Sequence, residues 1–266
     1  MKQRGIVRPV YPVSMTIALG IMAREGMVIA ADSEVSADMT RISGLKIFPF
    51  DDSSGGRIIV TGSGNTHYLQ SAAYSIGEIF MDHPNDSLLD LEPTMQAFLE
   101  TFYEDHITPF SALPDPPDIA LIIGANRRSE SKGWVSQNNI LNQWRVAHAA
   151  VGIGEIHARA VLGTLTHACD FESAKIMAAY VVWLVKQRIA YCGKDTHVQC
   201  FGNTGPSGLT LGQVHALENI FSDMKYLESS LWAYVFGSTS APADQAFVYK
   251  FIEDLKRECA VAISTQ

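Results

Sequence analysis

Thr16 and Asp32 are the residues whose types and spacing point first to chemistry. They close the stretch Met15 to Asp32, MTIALGIMAREGMVIAAD, which reads as two apolar strands joined by a tight turn at Arg24-Glu25-Gly26. A three-residue hairpin loop ending in glycine is a low-strain solution, because glycine accepts the left-handed conformation there. That loop pairs Ala23 with Met27 and Thr16 with Glu34. Asp32 then lies diagonal to Thr16 on the same face, roughly 7–8 Å away at Cβ. A two-residue loop would move the register by one and send Asp32 to the other face. The glycine position favours the longer loop.

A threonine hydroxyl is a weak nucleophile until a base takes its proton, and one solution uses the residue's own α-amine. A free α-amine has a pKa of roughly 7.7–8.0, so much of it is neutral near physiological pH. This chemistry requires Thr16 to be the first residue of the mature chain. Residues 1–15, MKQRGIVRPVYPVSM, precede it. They are read as a segment to be removed, or as lying upstream of a true start at Met15. They contain no long apolar run of a secretory signal.

The segment resembles the proteasome family of N-terminal-nucleophile hydrolases, in particular β-type subunits and their bacterial relatives. Thr16, Gly26 and Ala30-Ala31-Asp32-Ser33 stand at the family spacing without gaps, Lys46-Ile47 follows, and Ile58 to Asn65 matches a strand running into a glycine-rich turn. The resemblance is specific over 15–80, looser over 118–203, and absent beyond about 205. It implies that Thr16 is the nucleophile and that Lys46 supplies the positive charge beside the developing alkoxide. It further implies that Asp32 fixes Lys46, and that the Gly62 N–H helps hold the oxyanion. Two positions depart from the family pattern. Ile153 stands between Gly152 and Gly154 where a serine is usual, and Ile189 stands where an aspartate is usual before the Tyr191-Cys192-Gly193 turn. Ser33 is the nearest candidate helper for a terminal amine that lacks both partners.

The elements that must position these residues follow from periodicity. Strands are predicted over 41–50, 57–61, 118–124, 133–136, 140–146, 149–151 and 197–201. Helices are predicted over 65–81, 88–106, 154–168 and 172–190. That order suggests packed sheets with helices outside, and it matches the α+β, four-layer αββα sandwich that the resemblance implies. Three parts are expected: 1–15, a hydrolase domain over 16–204, and a helical extension over 205–266. In the extension, Leu209 to Tyr234 and Pro242 to Ile263 form two helices split by Gly237-Ser238.

Composition excludes several classes. A net charge of −8 argues against general nucleic-acid binding. No apolar run approaches the length of a membrane span, and the chain suits a cytoplasmic location. Cys169, Cys192, Cys200 and Cys259 lack CxxC spacing, so reduced thiols are expected rather than disulfides or zinc. His148, His157 and His167 fit no helical ligand pair. Gly62-Ser63-Gly64 and Gly152-Ile153-Gly154 lack the rest of a nucleotide-binding motif. No cofactor and no metal are expected. The leading expectation is a threonine-type endopeptidase, with a polypeptide substrate, self-assembly into a closed ring and an ATP-dependent unfoldase as partner; these come from the resemblance. Two alternatives stand beside it, a non-catalytic scaffold subunit and an N-terminal-nucleophile amidase on a small substrate.

Overall fold

A computed structural model describes residues 16–37, 40–113, 116–128, 130–163, 169–202, 205–235 and 245–264. The segment 1–15 and the Gly237-Ser238 break expected between the last two helices lie outside them. The elements in chain order begin with β1 (Ala18–Ala23), β2 (Gly26–Asp32), β3 (Glu34–Ala37), β4 (Thr40–Ser43), β5 (Ile47–Asp51) and β6 (Arg57–Gly64). Two helices follow, α1 (Thr66–Asp82) and α2 (Leu88–His106), then β7 (Ile119–Arg127), β8 (Glu130–Gln137), β9 (Ile140–Gln143) and β10 (His148–Val151). The remainder is α3 (Glu155–Leu162), α4 (Phe171–Arg188), β11 (Thr196–Gly202), β12 (Gly205–Leu209), α5 (Leu211–Val235) and α6 (Gln245–Ser264).

Two antiparallel sheets face each other. One runs β10-β1-β2-β11-β12, the other β5-β6-β7-β8-β9, and β3-β4 forms a separate ribbon. Alternation along the strands builds the layers. Leu19, Ile21, Val28 and Ala30 turn towards α3, α4 and α5, whereas Ala18, Met27, Ile29 and Ala31 meet Ile47, Ile59 and Ile122 between the sheets. On the second sheet Ile58 and Val60 turn outward under α1 and α2. The result is the αββα sandwich.

Local sequence explains the helix starts. Asn65 caps α1 by accepting from the amides of His67 and Tyr68. Ser87 and Asp90 form a reciprocal capping box at α2, and Asp170 caps α4 through the Ser173 amide.

Three expectations need correction. The β1–β2 turn has two residues, Arg24-Glu25, and Ala23 pairs with Gly26 rather than Met27. Gly26 therefore sits inside β2, opposite Gly202 of β11. A Cβ on Gly26 would lie 2.6 Å from the Gly202 Cα, so close strand approach explains the glycine and turn conformation does not. The strand expected over 41–50 is broken between β4 and β5, where the Gly44 amide donates to the Ser33 carbonyl. The helix expected over 154–168 ends at Leu162.

The sheet also continues past residue 204. β12 pairs with β11 from Val198–Leu209 to Gly202–Gly205. Next to it, α5 packs beside α4, with Phe221 against Tyr180 and Trp183.

Candidate active site

The end of the first sheet gathers Thr16, Asp32 and Lys46. Thr16 immediately precedes β1, Asp32 ends β2, and Lys46 immediately precedes β5 of the opposite sheet. The two-residue turn places Asp32 opposite Ile17, whose carbonyl accepts the Asp32 amide. Strict alternation would then separate Asp32 from Thr16. The carboxylate instead curls over the end of the sheet. Its Oδ1 accepts from the Ile17 amide at 3.1 Å and its Oδ2 from the Gly193 amide at 3.0 Å. The Thr16 hydroxyl donates to Oδ1 of Asp32, and the Lys46 ammonium donates to the Thr16 Oγ1. Lys46 also pairs with Asp32 at 2.9 Å. All three side chains are buried.

Lys46 reaches this position because the chain corners between β4 and β5. The Thr61 hydroxyl holds the Lys46 carbonyl at 2.8 Å. Burial of the ammonium lowers its pKa from the usual lysine range, and the Asp32 carboxylate opposes that effect.

The Gly152 turn backs the Thr16 main chain. Gly152 adopts φ +99°, a left-handed conformation that favours glycine, and the Gly154 amide donates to the Thr16 carbonyl at 3.4 Å. A Cβ on Gly152 would strike that same carbonyl. Ile153, between them, packs against the helical core instead of offering a hydrogen bond. Ile189 likewise packs there, with its amide donating to Val185.

The remaining expected residues are placed as follows. Gly62 lies in β6 opposite Leu121, next to the Ile47–Thr61 pair that begins β5. A Cβ on Gly62 would strike the Ala120 carbonyl oxygen of β7, so the close approach of the neighbouring strand accounts for the glycine. The Ser33 hydroxyl accepts from the Asp195 amide at 3.0 Å and lies 3.4 Å from the Ser43 hydroxyl. Those contacts tie the 193–195 turn to β3 and leave Thr16 to Asp32 and Lys46.

Sequence reasoning missed Glu34 and the structural part played by Gly193. Glu34 is 4% exposed, two residues beyond Asp32. Its signal was a carboxylate that closely follows an apolar buried strand, which costs free energy unless it has a purpose. Cys192 lies at the same corner. Burial pushes its thiol up to about 12, with Asp32 adding to the effect and Lys46 opposing it. It is a thiol and not a thiolate at neutral pH.

A cleft of about 380 Å³ opens beside the Gly152 turn, with Ala120, Val135, Ala150 and Val151 as apolar lining and Asp118 and Glu155 as acidic lining. No cluster of three or more ligating side chains able to hold a metal ion occurs among the described residues. Among them, no helix is long and apolar enough to cross a membrane.

The chain is similar in fold to the Anbu proteins. Anbu (ancestral beta-subunit) from Yersinia bercovieri aligns with a TM-score of 0.64 and 11% identity, over 85% of this chain and 99% of its own. The Anbu complex from Pseudomonas aeruginosa, solved as a helical assembly, aligns at 0.66 and 14%, over 86% and 99%. An Anbu (Gly-1) mutant from Hyphomicrobium sp. strain MC1 aligns at 0.66 and 12%, over 81% and 96%. At these identities the likeness shows the fold alone, which is of the N-terminal-nucleophile hydrolase type. No family model matches the chain, and no curated protein matches it. Membership among the proteasome β-type subunits, expected from the motifs at 15–80, is therefore corrected: the motif agreement is not accompanied by a family match, and the structural likeness is to Anbu.

Proposed function

We propose that this protein is a threonine-type N-terminal-nucleophile hydrolase that cleaves peptide bonds. The observation that carries the reading is the hydrogen-bonded set Thr16–Asp32–Lys46. Thr16 attacks the carbonyl carbon. The Lys46 ammonium, donating to the attacking oxygen, lowers the cost of its negative charge. Asp32 holds Lys46 and Thr16 in one geometry. Gly62 is proposed as an oxyanion donor, a role worth around 3 kcal/mol where it operates. Once residues 1–15 are removed, the α-amine of Thr16 becomes the base.

The proposed mature chain starts at Thr16, with the hydrolase domain over 16–204 and 205–266 as an extension whose first strand, β12, joins the sheet before its two helices, in a cytoplasmic protein that assembles with copies of itself. One Anbu structure was solved as a helical assembly, so an open helix stands beside the closed ring as a form of that assembly. An unfoldase would feed it polypeptide. The test is a peptide-hydrolysis assay on protein whose N-terminus has been sequenced, with Thr16→Ala as control. Turnover that requires Thr16 supports the reading. Mature Thr16 with neither turnover nor labelling by threonine-directed electrophiles favours the scaffold alternative. Turnover of small amides alone, by a monomer, favours the amidase.

A further inference from the structure

Glu34 is the one described carboxylate that combines deep burial with an oxygen lacking a hydrogen bond. Its Oε1 is buried and accepts no hydrogen bond. Buried polar atoms are nearly always paired, so an unpaired one calls for an explanation. The nearest cation, the Arg41 Nη1, stands at 3.4 Å. Arg41 is itself engaged elsewhere. It donates to the Ala190 carbonyl at 2.7 Å and lies 5.5 Å over the Tyr191 ring, with its side chain half exposed.

The other carboxylate oxygen points at Gly193, where any side chain would overlap it. The Gly193 amide meanwhile donates to Asp32 Oδ2. Two carboxylates thus bracket one glycine at the corner that holds Lys46. Asp32 divides its charge among four donors: the Thr16 hydroxyl, the Ile17 amide, the Lys46 ammonium and the Gly193 amide. The charge of Glu34 is not divided in this way.

We propose that Glu34 is a positioning residue of this site, supplying a second negative charge that holds the Lys46 ammonium ready beside Thr16. The proposal rests on the hydrolase reading for its purpose, and on the buried geometry for its physics. Every element packed at this corner enters the balance. Thr16, just before β1, and Asp32, at the end of β2, contact Lys46 directly; Glu34 at the start of β3 and Cys192 in the turn after α4 act on it electrostatically, while Arg41 of β4 offsets Glu34 from the rim. Burial favours the neutral amine at Lys46, whereas Asp32 and, more weakly, Cys192 and Glu34 favour the ammonium. Without Glu34 the ammonium loses part of that support. The site gains from an anion whose Oε1 accepts no hydrogen bond, because it acts at a distance on Lys46 without competing for its hydrogen bonds.

The test is an NMR titration of the Lys46 side chain in full-length protein carrying labelled lysine, assigned with Lys46→Arg. Glu34→Gln keeps shape and removes charge, and is expected to lower the Lys46 midpoint. Glu34→Asp should recover part of the shift. Arg41→Gln, at a half-exposed position, should raise the midpoint. A folded Glu34→Gln protein with an unchanged Lys46 midpoint overturns the proposal. If Glu34→Gln does not fold, an Arg41→Gln midpoint that fails to rise overturns it. The titration reads Lys46 whether or not the protein turns over, so an inactive protein with a moving midpoint would count against the hydrolase reading and not against Glu34.

Discussion

The backbone amide of Gly193 donates to Oδ2 of Asp32 at 3.0 Å, across 161 positions of sequence. This bond fixes the turn after α4 against the end of β2. The Ser33 amide repeats the tie two residues further on, donating to the Asp195 carbonyl at 2.9 Å. Asp32 is consequently a structural clamp as well as the anion beside Lys46. Asp32→Asn leaves Lys46 buried without its closest counter-ion, and breaking a buried pair in this way costs about 3–5 kcal/mol. Urea denaturation should show that loss. Adding Lys46→Met should restore most of it, and a single mutant as stable as wild type would refute the clamp.

Thr16→Ala removes one small hydroxyl and is expected to fold normally while abolishing peptide turnover. Lys46→Ala should come close to the same loss of turnover. Intact mass and N-terminal sequencing of active protein should show Thr16 as the first residue. An active form that retains any residue ahead of Thr16 would rule out amine-assisted catalysis.

The missing hydrogen-bond partners at Ile153 and Ile189 predict slow hydrolysis. A poorly held base forfeits part of the roughly 10²–10⁴-fold that general-base catalysis supplies. Because the Gly152 turn lies against the Thr16 carbonyl, Ile153→Ser can bring a hydroxyl to this neighbourhood. We expect faster labelling of mature Thr16 by a threonine-directed electrophile, at a cost in stability from the lost Ile153 packing. Unchanged labelling in a folded Ile153→Ser protein would place the serine out of reach.

Arg127 anchors the far side of the second sheet. It pairs with Asp52 at 2.7 Å and donates to the carbonyls of Phe80, His83 and Asp86. Burial works against the Asp52 anion, but hydrogen bonds from Ser54, Gly56 and Arg127 outweigh it and lower its pKa. A carboxyl depressed in the folded state stabilises above the unfolded pKa of about 3.9, and that contribution fades as pH falls through the folded value. The stability gap between wild type and Asp52→Asn should therefore be full at neutral pH and shrink below pH ~4. A gap that stays constant to low pH would show that the Asp52 charge contributes nothing.

Cys192 should resist alkylation in the native protein at pH 8, since it is buried and its pKa is raised to about 12. Rapid labelling under native conditions, followed by mass spectrometry, would show that the corner at Gly193 opens readily.

Much of the fold was legible because its signals are periodic and local. The caps at Asn65 and Ser87 and the apolar faces of α1 and α2 fix those helices within a residue or two of the predicted spans. The proximity of Thr16 and Asp32 was anticipated, but through the wrong register. Gly26 looked like a turn residue when its purpose is to let β11 approach. Distinguishing the two needs the strand on the far side, whose Gly202 lies 176 positions from Gly26 in sequence. Glu34 and Gly193 escaped for the same reason. Their meaning lies in a contact between β3 and the turn after α4, and no periodicity encodes it. β12 escaped because Gly205, Pro206 and Gly208 are poor strand formers, and only pairing with β11 defines it.

The packing of α5 bears on how this chain comes apart. Val214 and Leu217 of α5 are fully enclosed in the same apolar cluster as Leu19, Val28 and Val182. Lys186 of α4 bridges to Glu218, which also receives the Thr196 hydroxyl at the start of β11. The stretch past residue 204 is thus soldered to the strand that flanks the Asp32 end of β2. Amide exchange in β11 and in the first half of α5 should follow one opening event. A protease cut between β12 and α5 would be a blow to the whole sandwich, rather than the trimming of a tail.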